Sequence, residues 1–208
     1  EGEFYKFEDI YSQVRCFQDP NVPLFFGGAS DIALEVGSKR ADVFAMWGEP
    51  LSAIKERIAD ITNRALSHNR KIKFSLSVRP IIGVTESEAW ARAESILQQV
   101  KQATLGKIDP GQPARLQSEG SRRLLRFAEQ GDVHDDRLWM PIASASGAAG
   151  STTCLVGTAE QVADSLMKYF DLGCDTFIIR GFNPLQDAKQ YGKDLIPLIR
   201  QKASNRMC

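Results

Sequence analysis

The feature that most constrains this chain is a rhythm. Short apolar runs end on small or proline residues and give way at once to segments of helical spacing. The stretch "PLFFGGASDIALEVGSKRADVF" at residues 23–44 shows the unit. Apolar residues run up to Phe26, then Gly27, Gly28, Ala29 and Ser30 interrupt, and helical spacing starts. "LFFGG", bounded by proline and glycine, reads as a buried parallel strand. "SDIALEVGSKR" reads as a short helix, although Ile32, Leu34 and Val36 form no clean stripe. "ADVFAMWGEP" predicts a second buried strand ending at Gly48, with Pro50 suited to the first turn of the next helix. That helix carries apolar residues at 51, 54, 58, 61, 65 and 66, a strong amphipathic stripe. "KIKFSLSVRPIIGV" predicts a third strand, and Pro80 inside it suits a strand end or a bulge.

Two capping boxes mark further helices, Thr85 with Glu88 and Thr158 with Gln161. "CDTFIIRG" reads as a fourth strand, and "NPLQDAKQYGKDLIPLIRQK" as a closing helix. Residues 103–150 break the rhythm with "GKIDPGQP", one helix expected at 113–129, and the small-residue run "IASASGAAGSTT". An interruption of that length in a compact domain is usually functional or mobile, so it reads as a lid or as a linker that rejoins the scaffold. The order is strand-helix four times, which implies a parallel sheet with right-handed crossovers. Residues 1–22 read as an irregular connector, and the opening "EGEFYKFEDIYSQ", with no initiator methionine, reads as the middle of a longer chain.

Composition excludes some partners. The 208 residues hold 26 lysines plus arginines and 26 aspartates plus glutamates, so bulk charge gives no attraction to nucleic acid. No apolar run approaches the roughly 20 residues of a membrane span, and no secretory signal is visible. Cys16, Cys154, Cys174 and Cys208 form no C-x-x-C pair, so a reducing, cytoplasmic setting is expected. Cys174 reads as a buried structural thiol and Cys208 as a frayed tail residue.

The turns "GGAS", "WGEP" and "RGFNP" and the "RP" of the third strand all lie on the C-terminal side of strands, where α/β folds bind ligands. In "FFGGASD" the glycines allow close backbone approach, and Ser30 or Asp31 can cap a helix whose free N–H groups favour an anion. A tight turn that needs small residues explains the same letters. Arg79 and Arg180 each need an anionic ligand or a neighbouring carboxylate. Trp47 reads as core or as a stacking wall for a planar cofactor. His68 reads as a helix C-terminal residue, and His134 as a loop histidine that reaches a site only if the insertion folds over it. Neither a nucleophile triad nor a metal cluster can be assembled.

Three phrases together carry a resemblance. "VPLFFGGASDIALEVGSKRADVFAMWGEP", "FSLSVRPIIGVTESEAW" and "LVGTAEQVADSLMKYFDLGCDTFIIRGF" resemble, in order and spacing, the C-terminal half of alkanesulfonate monooxygenase, of the bacterial-luciferase-like two-component flavin monooxygenases. The resemblance covers residues 20–200. It implies the second half of a TIM (β/α)8 barrel, with a mobile lid at 103–150. It implies reduced FMN delivered by a flavin reductase, with oxygen as the oxidant and a small organic substrate; the sheet edges a half-barrel exposes predict a homo-oligomer. It implies that Gly27, Gly28, Ala29 and Ser30 hold the FMN phosphate. Polar groups of the sulfonate enzyme's site fall here on Ser77, Arg79, Ser146 and Phe182. Most of those groups are replaced, so the substrate differs or Arg79 binds its anion, or stabilises the oxygenated flavin, from a new position. A deazaflavin-dependent oxidoreductase uses the same barrel. A truncated half-barrel that acts in binding or assembly is the non-catalytic alternative.

Overall fold

The computed structural model describes residues 2–19, 21–105, 118–150 and 152–207. Its scaffold is α/β. Strand β1 (Phe25–Gly27) leads into helix α1 (Asp31–Arg40), β2 (Val43–Trp47) into α2 (Leu51–Ser67), and β3 (Lys73–Gly83) into α3 (Glu86–Thr104). A middle segment follows: α4 (Glu119–Gln130), the short strands β4 (Val133–His134) and β5 (Leu138–Trp139), and α5 (Pro141–Ala145). The unit pattern then resumes with β6 (Cys154–Thr158), α6 (Ala159–Asp171) and β7 (Cys174–Ile179). Helices α7 (Pro184–Gln190) and α8 (Ile196–Met207) are joined by a π-helical stretch, Tyr191–Leu195.

The sheet is parallel except for the hairpin β4–β5 and its junction with β6. Strand β3 organises it. Its first half lies between β2 and β7, with Ser77 opposite Trp47 on one side and Ile178 on the other. From Arg79 onward it pairs with β6. Pro80 stands at this change of partner: the Arg79 N–H donates to Thr153, and the Pro80 carbonyl accepts the Tyr191 hydroxyl. The missing proline N–H therefore costs no ladder bond, which is why a paired strand tolerates it.

Local chemistry explains the helices. Thr85 and Thr158 accept the N–H groups of Glu88 and Gln161, and both reciprocal side-chain bonds form. In α2, Ile54, Ile61 and Ala65 are buried, as their spacing predicts, while Leu66 is exposed. The principal core joins α2 and α6 to β2 and β3 through Phe44, Ile54, Leu76 and Leu166. A second cluster, including Ile81, Leu97, Trp139 and Val156, fills the space around α3 and β6.

Several expectations need correction. Strand β1 is not buried: Phe25 is 54% exposed, because β1 pairs on one side only among the described residues. Residues 154–158 form a strand of their own, β6, which the sequence reading did not count among its four strands. The expected helix at 113–129 is observed as Glu119–Gln130; residues 113–117, with "GKIDPGQP", lie outside the described residues. The small-residue run is a packed turn, not a loose linker. Gly147, Ala148 and Gly150 take left-handed backbone angles, and the Ser121 hydroxyl donates to the Ala148 carbonyl at 2.9 Å. Cys154 and Cys174 are buried and free, Cys16 is exposed, and Cys208 lies outside the described residues. Residues 2–19 hold no helix or strand and expose Phe4, Tyr5, Phe7 and Phe17. No helix among the described residues is long and apolar enough to cross a membrane.

Candidate active site

The turn at residues 27–30 is tight at its two glycines. A Cβ on Gly28 would stand 2.5 Å from the Ala33 Cβ, and one on Gly27 would stand 3.2 Å from the Ala45 carbonyl. Ser30 is the N-cap of α1 in extended backbone, and its hydroxyl accepts the Ala33 N–H at 3.3 Å. The first N–H groups of α1 have no acceptor within the helix, so they and the helix dipole favour an anion. Asp31, in the same turn, is turned outward and paired with Arg64 at 2.6 Å.

This turn opens on a cavity of about 560 Å³. Ser30 and Ala33 line one wall, Met46 and Trp47 another, and Ser118 and Gly120 cover it from α4. Gly120 lets that cover sit close, since a Cβ there would stand 3.0 Å from the Trp47 ring. Three charged residues also reach the cavity: Glu49, Arg57 and Glu119. Arg123 of α4 grips Glu49 with two hydrogen bonds, 3.0 and 2.6 Å, and that contact raises the arginine's pKa. Glu119 is held by Arg122 and Arg126. Among the described residues Arg57 makes one hydrogen bond, a long 3.5 Å contact to the Ala29 carbonyl, and burial, then the nearby Arg123, lowers its pKa.

The middle segment is fastened to this end of the sheet at a second point. The Leu51 N–H, at the open N-terminus of α2, donates to Asp135 at 2.6 Å. The backbone turn before α2 is itself held by the buried Tyr169 hydroxyl, which donates to the Glu49 carbonyl at 2.9 Å.

The site residues expected from the sequence fall into two groups. Gly27, Gly28, Ala29, Ser30 and Trp47 gather around the cavity. Arg79 and Phe182 form the other group: the Arg79 guanidinium donates to the Gly181 carbonyl at 2.9 Å and lies 4.8 Å from the Phe182 ring centre. Burial, then the neighbouring Arg180, lowers the Arg79 pKa. Ser77 lies between the groups, opposite Trp47 and two residues before Arg79, and so on the same face of β3. Ser146 ends α5 and donates its hydroxyl to the Ile142 carbonyl at 2.7 Å. His68 sits at the C-terminus of α2 against Glu35, and His134 bonds the Phe127 carbonyl.

Sequence reasoning missed Glu49, Arg57, Arg123 and Asp135. Arg57 had a signal, because it falls between Ile54 and Ile61 on the apolar face of α2, where a charge needs a reason. The partners of Glu49 and Leu51 lie 74 and 84 residues away, beyond any local pattern.

Residues 1–176 match the sequence profile of the luciferase-like monooxygenases. The chain belongs to that family. Among solved structures it is similar to riboflavin lyase in complex with a modified FMN and riboflavin, at 21% identity and a TM-score of 0.66, covering 88% of this chain and 44% of the other. It is similar to EDTA monooxygenase from Chelativorans sp. BNC1, at 19% identity and a TM-score of 0.64, covering 98% and 52%. It is also similar to the coenzyme F420-dependent tetrahydromethanopterin reductase of Methanopyrus kandleri, at 16% identity and 0.60, covering 95% and 56%. The sheet therefore forms a half-barrel of the luciferase-like type, and the chain spans about half the length of the structures it matches.

Proposed function

We propose that this chain is the phosphate-seating half of an FMN-dependent luciferase-like monooxygenase. The observation that carries the reading is the tight glycine turn at 27–30, with Ser30 capping α1, at the mouth of the cavity. Its fit to FMN is supported by the chemistry of the walls. The backbone N–H groups at the start of α1 suit a phosphate, and Trp47 and Met46 offer apolar surface to a planar ring. Bound reduced FMN would supply the electrons that split dioxygen, one oxygen atom entering the substrate and the other leaving as water. Ser30 and the backbone of Gly27, Gly28 and Ala29 would hold the phosphate, and α4 would keep water out. Arg79, with Phe182 against it and Ser77 beside it, would face a small organic substrate such as a sulfonate, to which a guanidinium is suited. Ser146 fits that role less well, since its hydroxyl is committed to its own helix. A separate reductase would deliver the flavin, and residues 118–150 would act as the lid.

Fluorescence titration of FMN into the chain tests the reading. Ser30→Asp places a negative charge at the seat and should weaken FMN binding at least about tenfold. Unchanged binding overturns the assignment. The likeness to the F420-dependent reductase favours a second reading, a deazaflavin cofactor on the same half-barrel. Titrating coenzyme F420 beside FMN separates the two. Assays of oxygen uptake with a flavin reductase, across sulfonates, sulfones and alkanes, identify the substrate.

A further inference from the structure

The cavity holds three charged side chains, and two of them are already spoken for. Glu49 is bound by Arg123 through both oxygens, and Glu119 by Arg122 and Arg126. The third, Arg57, makes no ion pair among the described residues, and its one hydrogen bond is the long contact to the Ala29 carbonyl. It nevertheless projects from the apolar face of α2, on the helical turn between the buried Ile54 and Ile61. Glu49, Asp60 and Glu119 act on its charge from a distance, yet none pairs with it, and burial beside a second guanidinium leaves it suited to an anion that does. The Ala29 carbonyl belongs to the turn that Ser30 caps, so the guanidinium already rests on the rim of the seat.

We propose that Arg57 is the cationic ligand of this cavity and binds a phosphate monoester seated on the turn at residues 27–30. This deepens the FMN reading and rests on it for the flavin, though not for the anion. The guanidinium would give up its weak bond to Ala29 and donate to phosphate oxygens, while Ser30 and the first N–H groups of α1 serve the opposite side. A planar, permanently charged fork suits a phosphate better than a lysine would. The Glu49–Arg123 pair has a supporting part. It sets a neutralised wall beside Arg57, so the positive charge left over in the cavity is that of Arg57.

The test uses the full 208-residue chain and compares FMN with riboflavin, which lacks the phosphate. The native chain should bind FMN at least about tenfold tighter than riboflavin. Arg57→Gln should weaken FMN binding about ten- to a hundredfold and leave riboflavin unchanged, the range expected for losing hydrogen bonds to a charged group. Arg57→Lys should keep part of the preference. A native FMN-to-riboflavin ratio in Arg57→Gln, with Ser30→Asp abolishing it, overturns the role of Arg57 and leaves the seat standing. If the native chain does not discriminate the two flavins, the FMN reading fails, and inorganic phosphate decides for Arg57. Broadening of the phosphorus resonance that is lost in Arg57→Gln supports it, and no broadening by the native chain overturns it. Should Arg57→Gln not fold, phenylglyoxal labelling of the native chain replaces it. Protection of Arg57 by FMN or phosphate supports the proposal, and labelling at the same rate with and without them overturns it.

Discussion

Glu49 is 8% exposed, gripped by Arg123 and close enough to Arg57 to act on its charge. The two ends of this arrangement are not equivalent. Removing Arg123 leaves Glu49 with Arg57 still near it. Removing Glu49 takes away the carboxylate that pairs with Arg123 and acts most strongly on Arg57. Breaking a buried pair from one side typically costs about 3–5 kcal/mol, and less where a partner is partly solvated. Arg123→Ala should therefore cost about 1–2 kcal/mol and Glu49→Ala about 2–4 kcal/mol, read from urea midpoints at a constant slope. Equal losses would show that Arg57 does not feel Glu49. Glu86 gives a second case at this scale. It receives hydrogen bonds from Arg137, Gln161 and Trp90, which pull its carboxyl down to about 2. A lowered carboxylate adds stability that is complete above its ordinary pKa and fades as pH falls through the folded value. The advantage of the native chain over Glu86→Gln should be present at pH 6, shrink below about 4.5 and be gone near pH 2. A carboxyl carbon titration by NMR would read the midpoint directly, and a midpoint near 4 would refute the contact with Arg137.

At the scale of elements, the parts that sequence reveals are those whose cause is local. A capping box needs only four residues, and both expected boxes form. An amphipathic helix needs only its own stripe, and α2 buries the residues its spacing selects. Strands β1, β2, β3 and β7 are bounded by glycine, proline or polar residues, and all were found. Strand β6 was not, because "CLVGT" runs straight into the α6 cap without a break. The hairpin β4–β5 has two residues per strand, too few to show alternation. The cover that α4 forms over the cavity depends on Gly120 meeting Trp47 and Arg123 meeting Glu49 across the chain, contacts that no window of sequence contains. The turn between β1 and α1 lies between these cases, since its letters are plain while its tightness is visible only in three dimensions. Gly28→Ala drives a methyl group into Ala33, a backbone-anchored neighbour, whereas Gly27→Ala meets the Ala45 carbonyl at a distance a small shift relieves. Gly28→Ala should cost about 1–3 kcal/mol, the usual range for overpacking, and should weaken FMN binding. Gly27→Ala should do less of both. Thermal melts with parallel FMN titrations rank the two, and the reverse order would mean that the turn can open around Gly28.

At the scale of the whole molecule, β3 ties two packed clusters together. Phe74, Leu76, Val78 and Ile82 belong to the principal core, while Ile81 belongs to the second cluster, on the same strand. Its partners change from β2 and β7 to β6 at Arg79, so no cluster can lose β3 without disturbing the other. The chain carries its own reporters of this coupling. Cys174 lies in the principal core and Cys154 in the second cluster, both fully buried. Burial pushes the Cys174 thiol up to about 12 and the Cys154 thiol higher still, so neither alkylates at pH 8 while folded. Cys16 is exposed and serves as the internal reference. Pulse alkylation across a urea series, mapped by mass spectrometry, should give one midpoint for Cys154 and Cys174. Leu76→Ala removes a fully buried side chain from the principal core only, at a cost of about 2–5 kcal/mol. If β3 couples the clusters, that substitution moves the midpoints of both cysteines by the same amount, although Leu76 belongs to the cluster of only one of them. If Cys174 becomes reactive at lower urea than Cys154, the half-barrel unfolds in two steps. The exchange of partners at Arg79 and Pro80 would then be a seam between them.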